Sequence, residues 1–494
     1  MKFYLYKITF VCALIFLLQA CAEDEVQGPD YNILQPGAEE RSAGNWKTTL
    51  DFAVNSITIP APEATNSAAV QSEIAEVEQL AANLDGKQRE LIEKWGSGAV
   101  LRWNEIARQL VTKYNVQPLP GAAPDPQRPF ANPPYAARLY ALLSVAHHDA
   151  LITVWHNKFK YNRVPVHELV KAPVLIKSNL PSYPSEHATV AAVSAEVLAF
   201  FFPLEKDYLN QLAAEHILSM KRAGLHLESD VQAGKAIATA IATKTKDRAR
   251  TDRMNLASDP TDTYKNIEVP YTKWVSLNVP AIKPMLPLYG NVRSWFDSLA
   301  LAALLPPPPP APGTPAFEAD LALVKKYATN RSREHWRIAD FWADGAGTYT
   351  PPGHWNKIAA DIIAERNLSE VRAARVFSLL NRAMMDGGIM CWRAKYVYYF
   401  PRPSQFDADI KTATGIPNFP GYTSGHATFS AAGAIVLGHL FPDRAAQLQQ
   451  WAEEAGLSRV VGGIHFQFDN IEGQSCGRKI GQLAVDWAKK DGAE

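Results

Sequence analysis

Between Lys395 and Asp469, three short stretches carry side chains whose types and spacing suit one kind of chemistry. The first is Lys395, six residues, then Arg402-Pro403; the second is Ser424-Gly425-His426; the third is Ser458-Arg459, five residues, His465, three residues, Asp469. Together they supply one ammonium, two guanidiniums, a hydroxyl, a glycine N–H that can be approached closely, and two imidazoles. A tetrahedral oxyanion spreads two or three negative charges over several oxygens, and fixed cationic donors match those acceptors. Phosphate or a phosphate-like oxyanion is therefore the predicted ligand.

The two histidines divide the work. His465 and Asp469 stand four apart, which on a helix puts them on one face, so the carboxylate can hold one imidazole nitrogen and leave the other aimed at the oxyanion. His426, directly after the Ser-Gly turn, is then suited to general acid/base work on the opposite apical position. A helix N-terminus near Ser424 would add its dipole and N–H groups.

The three motifs resemble the superfamily that unites vanadium-dependent haloperoxidases, type-2 phosphatidic acid phosphatases and bacterial acid phosphatases, whose signature reads KxxxxxxRP, PSGH, SRxxxxxHxxxD. The match runs from about Asp386 to Ile480, with one departure: Thr423 stands where the family usually has Pro, which alters the turn but not the donors. The resemblance implies that Lys395, Arg402, Ser424, Gly425 and Arg459 cradle the oxyanion. It implies too that His465 bonds the central atom, as axial ligand where that atom is vanadium, and that His426 is the acid/base. As a haloperoxidase the chain would hold vanadate and use peroxide to oxidise halide to hypohalous acid. As a phosphatase it would need no cofactor beyond its phosphate-ester substrate, hydrolysing phosphomonoesters or lipid phosphates through a phosphohistidine.

Trp392 and the aromatic run Tyr396, Tyr398, Phe400 favour the peroxidase side. So does a two-bundle organisation that resembles bacterial vanadium haloperoxidases, since the compact acid phosphatases are single bundles. The short spacings, 24 residues from Arg402 to His426 and 39 from there to His465, point the other way. A non-catalytic surface lipoprotein would require the intact motifs to be idle.

The elements that must position these groups read as helices. Segments such as 72–80 and 371–380 place apolar residues at three and four spacing, while period-two alternation is scarce, so the fold class is all-α. From 251 to 315 the pattern breaks into Pro-rich extended chain ending in Pro306 to Pro310, a polyproline II candidate that divides an N-terminal bundle, 71–250, from a C-terminal one, 316–494. The bundles look like an internal duplication: the segment 181–189 matches 420–428 at an offset of 239, which also carries Ser219 onto Ser458, His226 onto His465 and Asp230 onto Asp469. The N-terminal copy is degenerate. Glu186 replaces the glycine, Met220 replaces the arginine, and Lys158-to-Arg163 has the wrong spacing, so His187 and His226 are expected to be buried polar residues of a retired site. His354, in the segment 347–356, is read first as part of a turn that opens a helix, punctuated by Pro and Gly, and second as a cavity-lining group.

Residues 1–20 have the form of a secretory signal, with Lys2 and Lys7 ahead of an apolar run too short to span a bilayer comfortably. The sequence Leu18-Gln19-Ala20-Cys21 resembles the lipobox of bacterial lipoproteins, and a polar tether, 21–70, follows. The expectation is an exported enzyme held in the bacterial cell envelope, touching membrane only through lipid on Cys21. Of four cysteines, only Cys391 and Cys476 then remain as possible free thiols. With 50 Lys+Arg against 50 Asp+Glu there is no basic stripe, so nucleic acid is not an expected partner; small molecules are.

Overall fold

Helix starts follow capping chemistry carried by the chain itself. Ser67 opens α1 (Ala68–Ala82) by accepting the Val70 amide, and Asp85 with Gln88 forms a capping box for α2 (Gly86–Gly96). The N-terminus of α3 (Ala99–Tyr114) is capped from far along the chain: the Glu370 carboxylate accepts the amides of Ala99 and Val100 at 2.6 and 3.0 Å. The computed structural model describes residues 31–116 and 133–494. The expected export signal and Cys21 lie outside the described residues.

Further along come α4 (Pro133–Tyr161), α5 (Glu186–Phe201), α6 (Lys206–Arg222) and α7 (Glu228–Arg250). After a long stretch of turns and short helical pieces, the longest Ser298–Ala302, come α8 (Pro315–Thr329), α9 (Arg333–Phe341) and α10 (Thr350–Glu365). The last set is α11 (Glu370–Tyr398), α12 (Gly425–Leu440), α13 (Ala445–Val461) and α14 (Gln467–Ala488). Among the described residues there is no strand, and the protein is all-α. Helix lengths recur in order: 29 and 29 residues for α4 and α11, 16 and 16 for α5 and α12, 17 and 17 for α6 and α13, 23 and 22 for α7 and α14.

The two long helices form a spine. α4 lies against α11, α5 against α6 and α7, and α12 against α13, α14 and α11. Both long helices are buried along most of their length, so one hydrophobic core runs from Ala43 to Ala488 and draws on both expected bundles. Each carries a buried aspartate that accepts two amides from the segment laid across it. Asp149 takes Thr49 and Leu50 at 2.8 and 2.7 Å, and Asp386 takes Trp295 and Phe296 at 2.9 Å each.

The Pro-rich stretch, expected as extended chain between two bundles, forms a strap over the C-terminal end of α11. Trp274 donates its amide to the Tyr399 carbonyl at 3.1 Å, and Met285 donates to Asn418 at 2.9 Å. The hydroxyls of Tyr398 and Tyr422 donate to the carbonyls of Pro306 and Pro307 at 2.6 and 2.5 Å. Prolines lack the N–H that would compete for ladder or helix pairing, so their free carbonyls serve as a rail for the tyrosines. Tyr422 directly precedes Thr423 and Ser424, so the strap anchors the turn that presents the second motif.

Candidate active site

Lys395 sits in the last turn of α11, fully buried. Its ammonium donates to the carbonyls of Pro420, Gly421 and Thr423 at 2.9, 2.7 and 2.6 Å. Thr423 thus contributes through its backbone, and the departure from the usual proline leaves that acceptor in place. Burial pushes the Lys395 pKa down.

Arg402 precedes a one-turn helix and is also fully buried. Its guanidinium donates to the Ile464 carbonyl at 2.8 Å and lies 2.9 Å from Nε2 of His465. Ser424 is the N-cap of α12, its hydroxyl accepting the Ala427 amide at 3.4 Å, while its own amide donates to the Asp469 carbonyl at 3.0 Å. Gly425 and His426 form the first turn and are the partly exposed members of the set. A Cβ added at Gly425 would meet only Phe429 at 3.8 Å and Trp392 at 3.9 Å, so the space in front of this N-terminus is open.

The His426 ring donates to the backbone carbonyls of Ala343 and Trp342, and its Nε2 has no hydrogen-bond partner. Burial, with Arg459 beside it, holds its pKa well below the usual histidine range, so the ring is neutral at pH 7. Arg459, in the last turn of α13, donates to Ser458 Oγ at 2.9 Å and to the Ala339 carbonyl. Burial lowers its pKa to about 10 against the pull of Asp344 and Asp340.

His465 is not on a helix, as the four-residue spacing had implied. α13 ends at Val461 and α14 begins at Gln467, so His465 lies in the connecting turn while Asp469 lies in the first turn of α14. The carboxylate reaches back across the helix start: Oδ2 accepts His465 Nδ1 at 2.7 Å and the Phe466 amide at 3.2 Å. One oxygen therefore caps the helix and fixes the ring, leaving Nε2 toward Arg402. Burial, reinforced by Arg402, Lys395, His426 and Arg459, keeps His465 neutral. Burial also pushes Asp469 upward, while Lys395 and Arg402 pull it down.

The structure thus brings all eight site residues together, at the ends of α11 and α13, in the turns that follow them, and at the starts of α12 and α14. Beneath them Phe466 stacks on Phe468 at 4.7 Å, with Phe400 5.8 Å from Phe468, an aromatic floor that fixes the turn carrying His465. Cys391 and Cys476 are buried free thiols, Cys391 lying 3.5 Å from the Thr423 carbonyl. His354 lies near the start of α10, just past its first turn; its ring stacks on Trp342 at 4.5 Å and its Nδ1 is 3.1 Å from Asp344. Sequence reasoning missed the Ala339 carbonyl and the Trp342–Ala343 backbone, which meet Arg459 and His426, and Asp344, whose charge acts on Arg459 while it pairs with His354. Nothing in their types or spacing sets them apart from ordinary turn residues.

The converging charges are three buried cations and one carboxylate already engaged by His465. That donor set fits an oxyanion and would repel a metal cation. Residues 375–492 match the PAP2 superfamily, so the chain carries a PAP2-superfamily domain that contains the whole site. The chain is 29% identical over 196 residues to a non-specific acid phosphatase of Providencia stuartii, covering 38% of this chain and 73% of that protein. It is 28% identical over 187 residues to the vanadium chloroperoxidase of Curvularia inaequalis, covering 30% of this chain and 31% of that protein. In fold it resembles a bacterial vanadium-dependent iodoperoxidase with TM-score 0.61 at 20% identity, over 78% of this chain and 96% of the other. A bacterial vanadium-dependent chloroperoxidase in its apo form aligns with TM-score 0.54 at 14% identity, over 77% and 98%. Membership of this domain in the PAP2 superfamily supports an enzyme, and both acid phosphatases and haloperoxidases are among the proteins it resembles.

Proposed function

We propose that this enzyme is a vanadate-dependent haloperoxidase that oxidises halide with hydrogen peroxide. The observation that carries the reading is the depth of the cradle: Lys395, Arg402 and Ser424 are 0% exposed, Arg459 1% and His465 3%, with only Gly425 and His426 partly open. So narrow an approach favours small reactants such as peroxide and halide over the alcohol portion of a phosphate ester. The fold shared with the iodoperoxidase, which spans both helical sets, supports the same reading.

Vanadate, when bound, supplies a Lewis-acidic centre that makes peroxide oxygen susceptible to halide attack. Lys395, Arg402 and Arg459 neutralise the oxyanion charge in a site shielded from water, where each donor counts for more than it would in solution. Asp469 holds the His465 proton on Nδ1, so Nε2, which here accepts from Arg402 at 2.9 Å, is the nitrogen that would hold the oxyanion's central atom. His426, neutral and with its buried Nε2 unpartnered, can take a proton from incoming peroxide and return one to a departing oxygen.

Purified protein supplied with orthovanadate should oxidise halide in the presence of peroxide, and phosphate should inhibit that oxidation competitively, because both anions present the same charge to the same three cations. Vanadate-independent ester hydrolysis without halide oxidation would establish the acid phosphatase reading instead. Non-competitive inhibition would assign the two anions to separate sites.

We place the enzyme in the cell envelope, on the apolar leader and Cys21. Cys21→Ser should move it from the membrane to the soluble fraction with turnover unchanged. Retention on the membrane would count against lipid attachment and in favour of a phosphatase acting on lipid phosphates.

A further inference from the structure

A second cluster of chemistry-bearing side chains lies in the N-terminal helical set, on a backbone frame that repeats the first. Lys158, near the end of α4, donates to the carbonyls of Pro181 and Ser182, as Lys395 donates to those of Pro420 and Gly421. Ser185 caps α5 as Ser424 caps α12, and the amides of both donate at 3.0 Å to an aspartate carbonyl, Asp230 and Asp469 respectively. Thr189 and Thr428 return their hydroxyls to the two serine carbonyls at 2.7 and 2.9 Å.

What differs is the side chain at the position of Gly425. Glu186 stands there, 5% exposed, with Oε2 2.8 Å from Lys158 Nζ and 4.0 Å from His226 Nε2. The carboxylate lies between the two groups whose counterparts, Lys395 and His465, flank the oxyanion space. Met220 fills the place of Arg459, and Arg163 pairs with Asp230. Both ring nitrogens of His226 are consequently buried without a hydrogen-bond partner. The cavity left beside Lys158, Glu186 and His226 is only about 10 Å³, room for one water at most.

We propose that Glu186 is an internal ligand: its carboxylate occupies, in a second oxyanion cradle, the place that phosphate or vanadate takes in the first, and so limits the chain to one oxyanion. The inference rests on the oxyanion-binding reading of the C-terminal site. A buried ammonium needs a counter-anion, and a tethered carboxylate meets that need without the entropy cost of capturing a free one. Burial pushes the Glu186 carboxyl up, but Lys158, His226 and His187 hold it down at about 2, so mild acid does not discharge it. An incoming oxyanion would meet both its bulk and its charge.

Glu186, His187 and His226 also bring their ligand atoms within 4.8 Å of one another, a spacing open to a divalent metal. The Lys158 ammonium, 2.8 Å from the same carboxylate oxygen, places a positive charge where such a cation would sit. The cluster therefore favours an anion.

Vanadate retained after desalting, counted by elemental analysis, tests this. Wild type should retain one per chain, Glu186→Gly two, and the reciprocal Gly425→Glu none. If wild type retains none, the C-terminal reading fails; if wild type and Glu186→Gly both retain one, only the internal-ligand proposal fails. Should Glu186→Gly fold poorly, millimolar phosphate should raise its soluble yield and melting temperature more than those of wild type, and no such rescue overturns the proposal. Zinc binding to wild type at one per chain, lost in Glu186→Gly, overturns it in favour of a metal site.

Discussion

His465→Ala should abolish turnover, by about 10⁴-fold or more, in whichever of halide oxidation and ester hydrolysis the wild type performs. The substitution removes the one nitrogen that Asp469 orients toward the oxyanion space, and no neighbour can replace it: the other imidazole, His426, is held from the far side by the backbone of Ala343 and Trp342. Helix content by circular dichroism should be unchanged, because the ring lies in a turn and the Phe466 amide keeps its own bond to Asp469 at 3.2 Å. Turnover above about one part in a hundred would remove His465 from the role. The equivalent change at His226 should leave turnover within about twofold, since its ring has no hydrogen-bond partner and faces Glu186 rather than a substrate.

Arg459→Met imitates a replacement that the chain already contains at Met220. Methionine fills the buried volume, so the expected loss falls on anion binding: about 10²-fold to 10³-fold in turnover. A charge-assisted hydrogen bond of about 1.5–3 kcal/mol corresponds to roughly 10-fold to 150-fold weaker phosphate inhibition. Steady-state kinetics with phosphate as competitor, beside a thermal melt, separates the outcomes. A lower melting temperature with unchanged inhibition would make Arg459 a prop for the Ala339 carbonyl rather than part of the cradle.

Much of the site was legible because its groups come in short runs whose chemistry does not depend on the rest of the chain. Lys395 to Arg402, with six residues between, spans a helix end and the turn after it, and Ser424-Gly425-His426 is a helix start in its own right, with the serine as cap. What the extended stretch would pack against was not legible, for a physical reason. Proline content reports that a segment cannot be helical, but not what its carbonyls will meet, and only packing revealed Tyr398 and Tyr422 on Pro306 and Pro307. The partners of Arg459 and His426 were invisible for the same reason: backbone carbonyls carry no sequence signature.

By itself the sequence determined which groups the protein has, their order, and the all-α class, because helical periodicity and capping residues act over a few positions. The tertiary structure decided which charge meets which. His226 and Asp230 have the same four-residue spacing as His465 and Asp469, each on either side of a helix start, yet only the second pair is bonded. In the first, Arg163 arrives from another element and takes the carboxylate, and Glu186 takes the lysine. A buried ion pairs with whichever opposite charge the packing brings nearest, and that distance is set by elements far apart in the chain.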